Sequence, residues 1–422
     1  MSSYLISGGR SLSGQLHVHG SKNAALPIIA ASLLHHGVTV IRGCPDILDV
    51  RYMIEILRSI GCGVLYEGDV LQIDASEICL ENISRECVGK MRSSILLLGA
   101  ALGRCRRMIL DYPGGCTIGA RPVDIHLKAL EQMGVHIEEK DGAIHCETGG
   151  LSGVRIVLPY PSVGATENLM MAGAMAEGIT WIQNAAKEPE VSDLAGFLSA
   201  MGVSIYGAGT DRIGILGKCS LHDAEYRVMT DRIVAGTYLL AAAGTGGEIE
   251  LLDVAEQHIH CLLHLCEAMG CEIRMTERGI RIKSARRLFA VEDIHTQPFP
   301  GFPTDMQSQL MAVLATARGE SVIYEHIFEN RFRTAGELQK MGADIQIKNN
   351  RAVIRGVRKL KGCHVSAKDL RGGAALVIAG LMAEGDTIVE NSIFVERGYQ
   401  DICKDLTQLG AEIRHCRDTR EG

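Results

Sequence analysis

A short motif recurs six times along this chain of 422 residues. It consists of an apolar residue, a glycine, a small residue, any residue and an aliphatic residue. The six copies begin at Ile60-Gly61, Met133-Gly134, Met201-Gly202, Met269-Gly270, Met341-Gly342 and Leu409-Gly410. Their glycines are spaced 68 to 73 residues apart. Self-similarity at so even a period indicates six copies of one supersecondary unit.

Each copy contains the same order of predicted elements. A helix of small apolar residues, such as residues 168–177 or 373–384, is followed by a β-branched strand such as 387–389. An amphipathic second helix, such as residues 123–133, leads through the motif glycine into another strand. The glycines expected to end the first helices in a left-handed conformation are Gly37, Gly178, Gly319 and Gly385. The order predicts a βαβαβ-type unit.

The first helices are apolar on nearly all sides, so we expect them to be fully buried with the sheets outside them. At about 150 residues per domain, the length indicates two or three domains. Six repeats divide most simply into two domains of three. The predicted fold is therefore α/β, with two inside-out α/β barrel domains.

Composition and charge narrow the classes of function. The net charge of −7 and an aromatic content of 4% count against binding of nucleic acid or an anionic membrane. We find neither a signal peptide nor a membrane-spanning run, and therefore expect a cytoplasmic protein. Fourteen cysteines without a Cys-x-x-Cys pair then indicate reduced thiols, not disulfides or structural zinc.

Polar residues precede the first helix of every repeat. They are Lys22-Asn23, Arg92-Ser93-Ser94, Thr166-Glu167-Asn168, Asp231-Arg232, Thr304-Asp305 and Asp369-Leu370-Arg371. Three parallel helices in each domain would bring these residues to one face, and two such faces would form a cleft. One interpretation is ordinary helix capping by Ser, Thr, Asp and Asn. Lys22, Arg92 and Arg371 oppose the helix dipole, however, and favour an anionic ligand.

The second candidate is the segment from Pro113 to Pro122, which places three glycines around Cys116. Loop placement beside Arg121 favours a reactive thiolate, whereas a cysteine in an apolar helix is ordinarily a small packing residue. A third candidate is the cluster His258, His260, Cys261, His264 and Cys266. The spacing of His260 and His264 suits a metal, but an exposed helix face is the preferred interpretation because no His-Glu-x-x-His pattern accompanies it.

Several motifs resemble those of the enolpyruvyl transferases over nearly the whole chain. They are Lys22-Asn23-Ala24-Ala25-Leu26-Pro27, the Pro113–Pro122 loop, residues 162–168, residues 302–307, Phe328-Glu329-Asn330-Arg331-Phe332, Asp369-Leu370-Arg371 and Arg397-Gly398-Tyr399. Within that family, the Cys116 loop and residues 302–307 resemble the motifs of one branch, the UDP-N-acetylglucosamine 1-carboxyvinyltransferases (MurA type).

The resemblance implies transfer of the enolpyruvyl group of phosphoenolpyruvate to the 3′-hydroxyl of UDP-N-acetylglucosamine, with release of phosphate. That reaction is the first committed step of peptidoglycan synthesis, which serves cell shape and division. The resemblance further implies a double hinge between a domain of residues 22–229 and a second domain of residues 1–21 plus 230–422. It implies small-molecule substrates, no cofactor, no metal, no obligate protein partner and inhibition by fosfomycin.

The resemblance also assigns roles to residues. Cys116 is the expected general acid and forms a covalent phospholactoyl adduct, and Asp305 is the expected base. The expected contacts of phosphoenolpyruvate are Lys22, Asn23, Arg92, Arg121 and Arg397, of which Lys22, Asn23 and Arg397 are also assigned to catalysis. The expected contacts of the nucleotide sugar are Asn23, Arg92, Arg121, Pro122, Val123, Asp124, Ile125, Ser162, Val163, Gly164, Asp305 and Ile327. Supporting roles fall to Arg331, Asp369 and Arg371.

Three positions depart from common family forms, namely Ser21, Tyr160 and Glu396. Two alternatives remain beside the main interpretation. The same chemistry could act on 3-phosphoshikimate or another nucleotide sugar, or the chain could be a regulatory paralogue without catalysis.

Overall fold

The computed structural model describes residues 2–80, 83, 85–114, 118–119, 123–285 and 287–417. The chain divides into two units. The first, here called the inserted unit, contains residues 20–116 and 121–229. The second, the terminal unit, contains residues 1–19, 117–120 and 230–422. Both ends of the chain therefore belong to the same unit.

The terminal unit begins with β1 (Ser2–Ser7) and β2 (Ser13–His17). The inserted unit follows with α1 (Lys22–Ala31), β3 (Val38–Arg42), α2 (Leu48–Ser59), β4 (Gly63–Glu67), β5 (Val70–Asp74), α3 (Arg85–Lys90), α4 (Leu97–Cys105), β6 (Arg107–Asp111), α5 (Asp124–Gln132), β7 (His136–Lys140), β8 (Ala143–Glu147), β9 (Arg155–Val157), α6 (Val163–Met175), β10 (Ile179–Gln183), α7 (Pro189–Ala200), β11 (Ser204–Tyr206), β12 (Arg212–Leu216) and β13 (Ala224–Arg227).

The terminal unit resumes with α8 (Arg232–Thr245), β14 (Glu248–Leu252), α9 (Glu256–Ala268), β15 (Glu272–Thr276), β16 (Gly279–Lys283), β17 (Ile294–His295), α10 (Gln307–Leu314), β18 (Glu320–Tyr324), α11 (Ala335–Lys340), β19 (Asp344–Lys348), β20 (Arg351–Arg355), β21 (His364–Ser366), α12 (Leu370–Met382), β22 (Asp386–Glu390), α13 (Ile402–Gln408) and β23 (Glu412–Arg417). Short 3₁₀ turns lie at Ser32–Leu34, Arg92–Leu96, Thr304–Met306, Arg331–Thr334 and Ser392–Arg397.

The described strands form six sheets, three in each unit. In the inserted unit the strand orders are β13-β3-β5-β4, β6-β8-β7 and β11-β12-β10-β9. In the terminal unit they are β15-β16-β14-β2, β17-β18-β20-β19 and β21-β22-β1-β23. This confirms the arrangement of two sets of three repeats.

One repeat shows the local order clearly. Strand β9 is parallel to β10, with Ile156 opposite Ile182, and α6 lies between them in the chain. After α7, strands β11 and β12 form an antiparallel hairpin, and β12 pairs with β10. The observed unit is therefore βαβαββ, one strand longer than the βαβαβ outline predicted from the sequence.

The motif glycine has the same conformation in all six repeats. The φ angles of Gly61, Gly134, Gly202, Gly270, Gly342 and Gly410 all lie between 90° and 103°. This left-handed conformation ends the second helix and suits glycine because it lacks a Cβ atom.

Of the glycines predicted to end the first helices in a left-handed conformation, Gly178, Gly319 and Gly385 do so. The prediction is wrong for Gly37, whose φ is not positive. A Cβ at Gly37 would lie 2.3 Å from Oδ1 of Asp223. The Asp223 side chain is exposed and can move aside, so neither backbone conformation nor space requires glycine at this position.

The N-terminal residues complete two sheets of the terminal unit. Strand β1 lies between β22 and β23 and pairs antiparallel with both, so Tyr4 is opposite Val389 on one side and His415 on the other. Strand β2 is parallel to β14. The last repeat therefore takes its final strand from the start of the chain.

The inside-out layering is confirmed by burial. In α6 every residue from Ala165 to Ala174 is buried, and in α12 every residue from Arg371 to Leu381. The outer strands alternate instead, as in β10, where Ile179 is exposed and Ile182 is buried. Each unit has its own apolar core around its inner helices. Among the described residues, no helix is both long and apolar enough to cross a membrane.

Candidate active-site residues at the helix starts

Two acidic residues at helix starts in the terminal unit act as N-caps. Oδ1 of Asp231 accepts from the amides of Ile233 and Val234 at 2.8 and 3.0 Å at the start of α8. Oδ1 of Asp369 accepts from the amides of Arg371 and Gly372 at 3.0 and 2.9 Å at the start of α12. Capping therefore accounts for these two carboxylates in the described structure.

Asp305 has a different environment. It lies in the 3₁₀ turn before α10, and its Oδ1 accepts from Nη2 of Arg331 at 2.8 Å and from Nε of Arg371 at 3.2 Å. The side chain of Asp305 is 34% exposed, whereas those of Arg331 and Arg371 are 2% and 4% exposed. Burial opposes ionisation, but Arg371 and then Arg331 outweigh it and hold the pKa of Asp305 well below its usual range. Asp305 is therefore a carboxylate at neutral pH.

Arg371 connects the starts of two inner helices. It lies in the first turn of α12 and bonds to Asp305, which precedes α10. Burial disfavours its charge, but Asp305 outweighs this effect and raises the pKa of Arg371 above its usual value. Nη1 of Arg371 is buried and has no hydrogen-bond partner among the described residues. An N–H group in this state is a candidate donor to a ligand, because buried donors are nearly always paired.

The start of α8 joins the same polar cluster. Nε2 of Gln309 donates to the carbonyl of Asp305 at 2.9 Å and lies 3.3 Å from Oγ1 of Thr237 in α8. Oγ1 of Thr237 also lies 2.7 Å from the hydroxyl of Tyr399. The first two turns of α8, α10 and α12 are thus joined by hydrogen bonds, as the repeat pattern predicts for one domain.

Lys22 is the first residue of α1 in the inserted unit. Its Nζ forms an ion pair with Oδ2 of Asp49, and the side chains of Lys22 and Asp49 are 12% and 2% exposed. No side-chain cap from Ser21 accompanies the start of this helix. A lysine beside helix N–H donors needs a counter-charge, and Asp49, near the start of α2, supplies it.

The start of α6 lies against α4 and α5. Oγ of Ser162 accepts from the amide of Ala165 at 3.4 Å. A Cβ on Gly164 would lie 2.9 Å from Cε1 of His126, so a larger residue would require the imidazole ring to move. In the second turn, Oδ1 of Asn168 accepts from the amide of Gly99 at 2.7 Å. Ser162 and Gly164 therefore shape the first turn of the helix.

Glu167, next in the chain to Thr166, points into the protein. It is 3% exposed, and its Oε1 has no hydrogen-bond partner among the described residues. Burial, with the charges of Glu190 and Glu188, raises its pKa well above the usual value. The sequence predicts that Thr166-Glu167-Asn168 precede the helix. In the structure α6 begins earlier, at Val163, so these three residues lie within the helix.

The remaining predicted site residues differ in their exposure. Asn23, Arg92, Ile125, Val163, Ile327 and Arg397 are partly buried, Val123 is buried and Asp124 is exposed. Cys116, Arg121 and Pro122 lie outside the described residues. Ile118 and Gly119 of the same loop are described: the carbonyl of Ile118 accepts from the amide of Asn330 at 2.8 Å, and a Cβ on Gly119 would lie 2.1 Å from Oε2 of Glu329.

Two carboxylates near these residues, Asp49 and Glu325, are not among the site residues predicted from the sequence. Asp49 belongs to an amphipathic helix and has no motif of its own, and its burial is visible only in the structure. Glu325 follows strand β18, and nothing in its neighbourhood distinguishes it from a surface glutamate. It is 4% exposed and accepts a hydrogen bond from Thr304, next to Asp305.

Two histidines of the cluster on α9 are in direct contact. Nε2 of His260 and Nε2 of His264 lie 2.7 Å apart, and both side chains are more than half exposed. Within the described part of the chain, no group of three or more His, Cys, Asp or Glu side chains could hold a metal ion.

Comparison with known proteins identifies the family. Residues 6–406 match the EPSP synthase (3-phosphoshikimate 1-carboxyvinyltransferase) family. A UDP-N-acetylglucosamine 1-carboxyvinyltransferase 2 of Caldanaerobacter subterraneus subsp. tengcongensis is 49% identical over 98% of this chain and 99% of its own length. A UDP-N-acetylglucosamine 1-carboxyvinyltransferase of Cereibacter sphaeroides is 45% identical over the same shares.

Solved structures agree on the fold. The enolpyruvyl transferase NikO from Streptomyces tendae matches with a TM-score of 0.88 at 25% identity over 98% of each chain. An EPSP synthase from Acinetobacter baumannii matches with a TM-score of 0.77 at 20% identity over 99% of this chain and 100% of its own. The chain belongs to the EPSP synthase family of enolpyruvyl transferases, and within it to the family of the UDP-N-acetylglucosamine 1-carboxyvinyltransferases.

Proposed function

We propose that this chain transfers the enolpyruvyl group of phosphoenolpyruvate to the 3′-hydroxyl of UDP-N-acetylglucosamine and releases phosphate. The observation that carries the proposal is the Asp305 carboxylate, which two buried arginines keep ionised at the start of an inner helix. Support also comes from two relatives named UDP-N-acetylglucosamine 1-carboxyvinyltransferase, which are 49% and 45% identical over nearly the full length.

Asp305 would remove the proton from the sugar hydroxyl. Its Oδ1 accepts from both arginines, so we assign the proton transfer to Oδ2. A carboxylate with a depressed pKa is a weak base, and it gains the proton only as the hydroxyl oxygen bonds to C2 of phosphoenolpyruvate. Arg331 and Arg371 thus set both the orientation and the basicity of Asp305.

Cationic side chains would hold phosphoenolpyruvate, which carries a phosphate and a carboxylate. We assign this role to Lys22, Arg92, Arg121 and Arg397, with Asn23 holding the sugar hydroxyl and the tetrahedral intermediate. Fixed charges stabilise a tetrahedral ketal without reorganisation. The ion pair of Lys22 with Asp49 supports this role because it fixes the ammonium group before substrate arrives.

Cys116 would act as the general acid. Its thiol donates a proton to C3 of phosphoenolpyruvate while the sugar oxygen bonds to C2, which gives the tetrahedral ketal. The bond between C2 and the phosphate oxygen then breaks, C3 loses a proton, and the enolpyruvyl sugar and phosphate leave. The covalent phospholactoyl adduct is proposed at the same sulfur.

The nucleotide sugar would be bound by residues from several helix starts and loops. We assign this role to Pro122, Val123, Asp124, Ile125, Ser162, Val163, Gly164 and Ile327. Asp369 supports the site by capping α12, which carries Arg371. The proposal needs no cofactor or metal, since side chains supply the positive charge.

In the cell, the proposed reaction is the first committed step of peptidoglycan synthesis, in the cytoplasm and without an obligate protein partner. It would make the chain a determinant of cell shape and division and a target of fosfomycin. The enolpyruvyl transferase domains proposed for it are residues 22–229 and residues 1–21 plus 230–422.

An acceptor assay tests the proposal. Phosphate release from phosphoenolpyruvate is measured with UDP-N-acetylglucosamine, UDP-glucose and 3-phosphoshikimate as separate acceptors, and the product is identified by mass. We expect turnover with UDP-N-acetylglucosamine and a product heavier by one enolpyruvyl group. Turnover only with 3-phosphoshikimate or UDP-glucose would overturn the choice of acceptor, and no turnover with any acceptor would favour a regulatory paralogue.

A further inference from the structure

Glu325 is a buried carboxylate with four hydrogen-bond donors around it. It lies directly after strand β18 and is 4% exposed. Its Oε1 accepts from Oγ1 of Thr296 at 2.9 Å and from the amides of Ile327 and Phe328 at 2.8 and 3.1 Å. Its Oε2 accepts from Oγ1 of Thr304 at 2.9 Å. Both oxygens are therefore engaged, so the carboxylate has one defined orientation.

The bond to Thr304 is the one that reaches the candidate active site. Thr304 opens the 3₁₀ turn Thr304–Met306, and Asp305 is the next residue. Nε of Arg331 donates to the carbonyl of Thr304 at 3.1 Å, while Nη2 of Arg331 donates to Asp305. Two groups of Thr304 therefore hold the turn in place: its hydroxyl bonds to Glu325, and its carbonyl bonds to Arg331.

The bonds to Ile327 and Phe328 fix a second segment. Their two amides point at one carboxylate oxygen, which holds the turn after β18. Phe328 lies against Arg331, whose guanidinium carbon is 5.8 Å from the centre of the ring. Glu325 therefore links the turn that carries Asp305 to the segment that leads to Arg331, the partner of Asp305.

We propose that Glu325 is a positioning residue that sets the place of the Asp305 carboxylate through Thr304 and the Ile327-Phe328 turn. The inference rests on the proposed enolpyruvyl transfer, in which Asp305 takes the proton of the acceptor hydroxyl. Glu325 does not touch the reacting atoms. Its effect is on the geometry of proton transfer, where a displacement of about 1 Å can cost a factor of about 100 in rate.

The experiment uses the full chain and measures kcat and both KM values. Glu325→Gln keeps the shape but replaces one charged acceptor by an amide, and Thr304→Val removes the hydroxyl. We expect each variant to lower kcat about tenfold while KM for phosphoenolpyruvate changes less than about twofold. Thr304→Ser restores the hydroxyl and should return kcat to within about twofold of the parent chain.

A double variant tests whether Glu325 affects catalysis through its hydrogen bond to Thr304. If Glu325 acts through Thr304, the chain with Glu325→Gln and Thr304→Val is no more than about twofold slower than the slower single variant. If the losses of kcat in the two single variants multiply in the double variant, the two residues act independently and the proposal is wrong. Equal activity of Thr304→Val and Thr304→Ser would overturn it too, even if Glu325→Gln fails to fold.

Glu337→Gln is the matched control. Glu337 is 3% exposed in the same unit and accepts from Nζ of Lys340, Nζ of Lys368 and the amide of Ser366. We expect it to lower the melting temperature without changing kcat more than about twofold. An equal loss of kcat in both variants would reduce Glu325 to a structural residue. A parent chain inactive with UDP-N-acetylglucosamine would instead sink the proposed function itself.

Discussion

Nε of Arg371 donates a hydrogen bond to Oδ1 of Asp305 across a distance of 3.2 Å. Arg371 is also the strongest of the charges that lower the pKa of this carboxylate. The pair therefore controls the pH at which Asp305 loses its charge.

Arg371→Met should move the acidic limb of the rate profile. A base must be deprotonated, and the depressed pKa keeps Asp305 charged to a pH well below the usual value of about 4. Without Arg371 the burial of the carboxyl is less opposed, so the pKa of Asp305 rises and kcat falls at a higher pH. The measurement is kcat between pH 4 and pH 8. Arg355→Met, which breaks a surface pair with Glu320, is the control. An unchanged acidic limb in Arg371→Met would contradict the role of Asp305 as the base.

Cys116→Ser should abolish covalent labelling by fosfomycin. The thiolate sulfur opens the epoxide, so a C–S bond forms while a C–O bond breaks and its oxygen takes up a proton. Burial raises the pKa of Cys44 and Cys146 to about 12, which makes these thiols poor competitors. Mass spectrometry of the intact chain measures the added mass. Cys79 is exposed, so Cys79→Ser is the control and should label like the parent chain. Label persisting in Cys116→Ser would assign the reaction to another cysteine.

Asp49→Asn should weaken binding of phosphoenolpyruvate. Nζ of Lys22 is fixed by the Asp49 carboxylate, and the amide leaves the ammonium less firmly placed. We expect KM for phosphoenolpyruvate to rise about tenfold, which corresponds to about 1.4 kcal/mol. KM for the sugar nucleotide should change little. Asp46→Asn is the control, because Asp46 pairs with Arg51 in a more exposed setting. Equal KM values in both variants would separate Asp49 from substrate binding.

The sequence allows prediction of those parts of the fold that depend on neighbours along the chain. The motif glycine Gly202 and the buried helix around Leu169 are local features, and both are recognisable from spacing and residue type. The pairing of strand β1 is not predictable from the sequence because its partners, β22 and β23, lie at the other end of the chain. The same reason explains Asp49, whose partner Lys22 is in another helix, and Glu325, whose four donors come from three segments. Such contacts depend on packing between elements, which periodicity does not contain.

Gly99→Ala should destabilise the inserted unit. A Cβ on Gly99 in α4 would lie 2.3 Å from the carbonyl oxygen of Asn168 in α6, and a backbone atom cannot move aside cheaply. We expect a loss of about 1–3 kcal/mol in the free energy of unfolding. Gly336→Ala in α11 is the control, because nothing lies within 4 Å of the added Cβ. It should stabilise by about 0.5–1 kcal/mol. Urea unfolding measures both, and equal effects would argue against close packing of α4 on α6.

Asp193 should make the stability of the inserted unit fall as the pH rises from about 4 to about 6. Burial raises the pKa of Asp193 to about 6, although the amide of Met229 and the hydroxyl of Tyr226 donate to it at 3.1 and 2.8 Å. A carboxyl whose pKa is higher in the folded state than the unfolded value of about 3.9 binds its proton more tightly when folded. Its contribution is therefore complete below about pH 4 and lost by about pH 6.

The difference in unfolding free energy between the parent chain and Asp193→Asn should decrease through that window and then stay constant. Urea unfolding at pH 4, 5, 6 and 7 measures it. Asp223→Asn is the control, because the amide of Val38 and the ring of His35 lower the pKa of Asp223, so its contribution changes below pH 4 instead. A difference for Asp193→Asn that rises with pH would show that the hydrogen bonds from Met229 and Tyr226 outweigh burial.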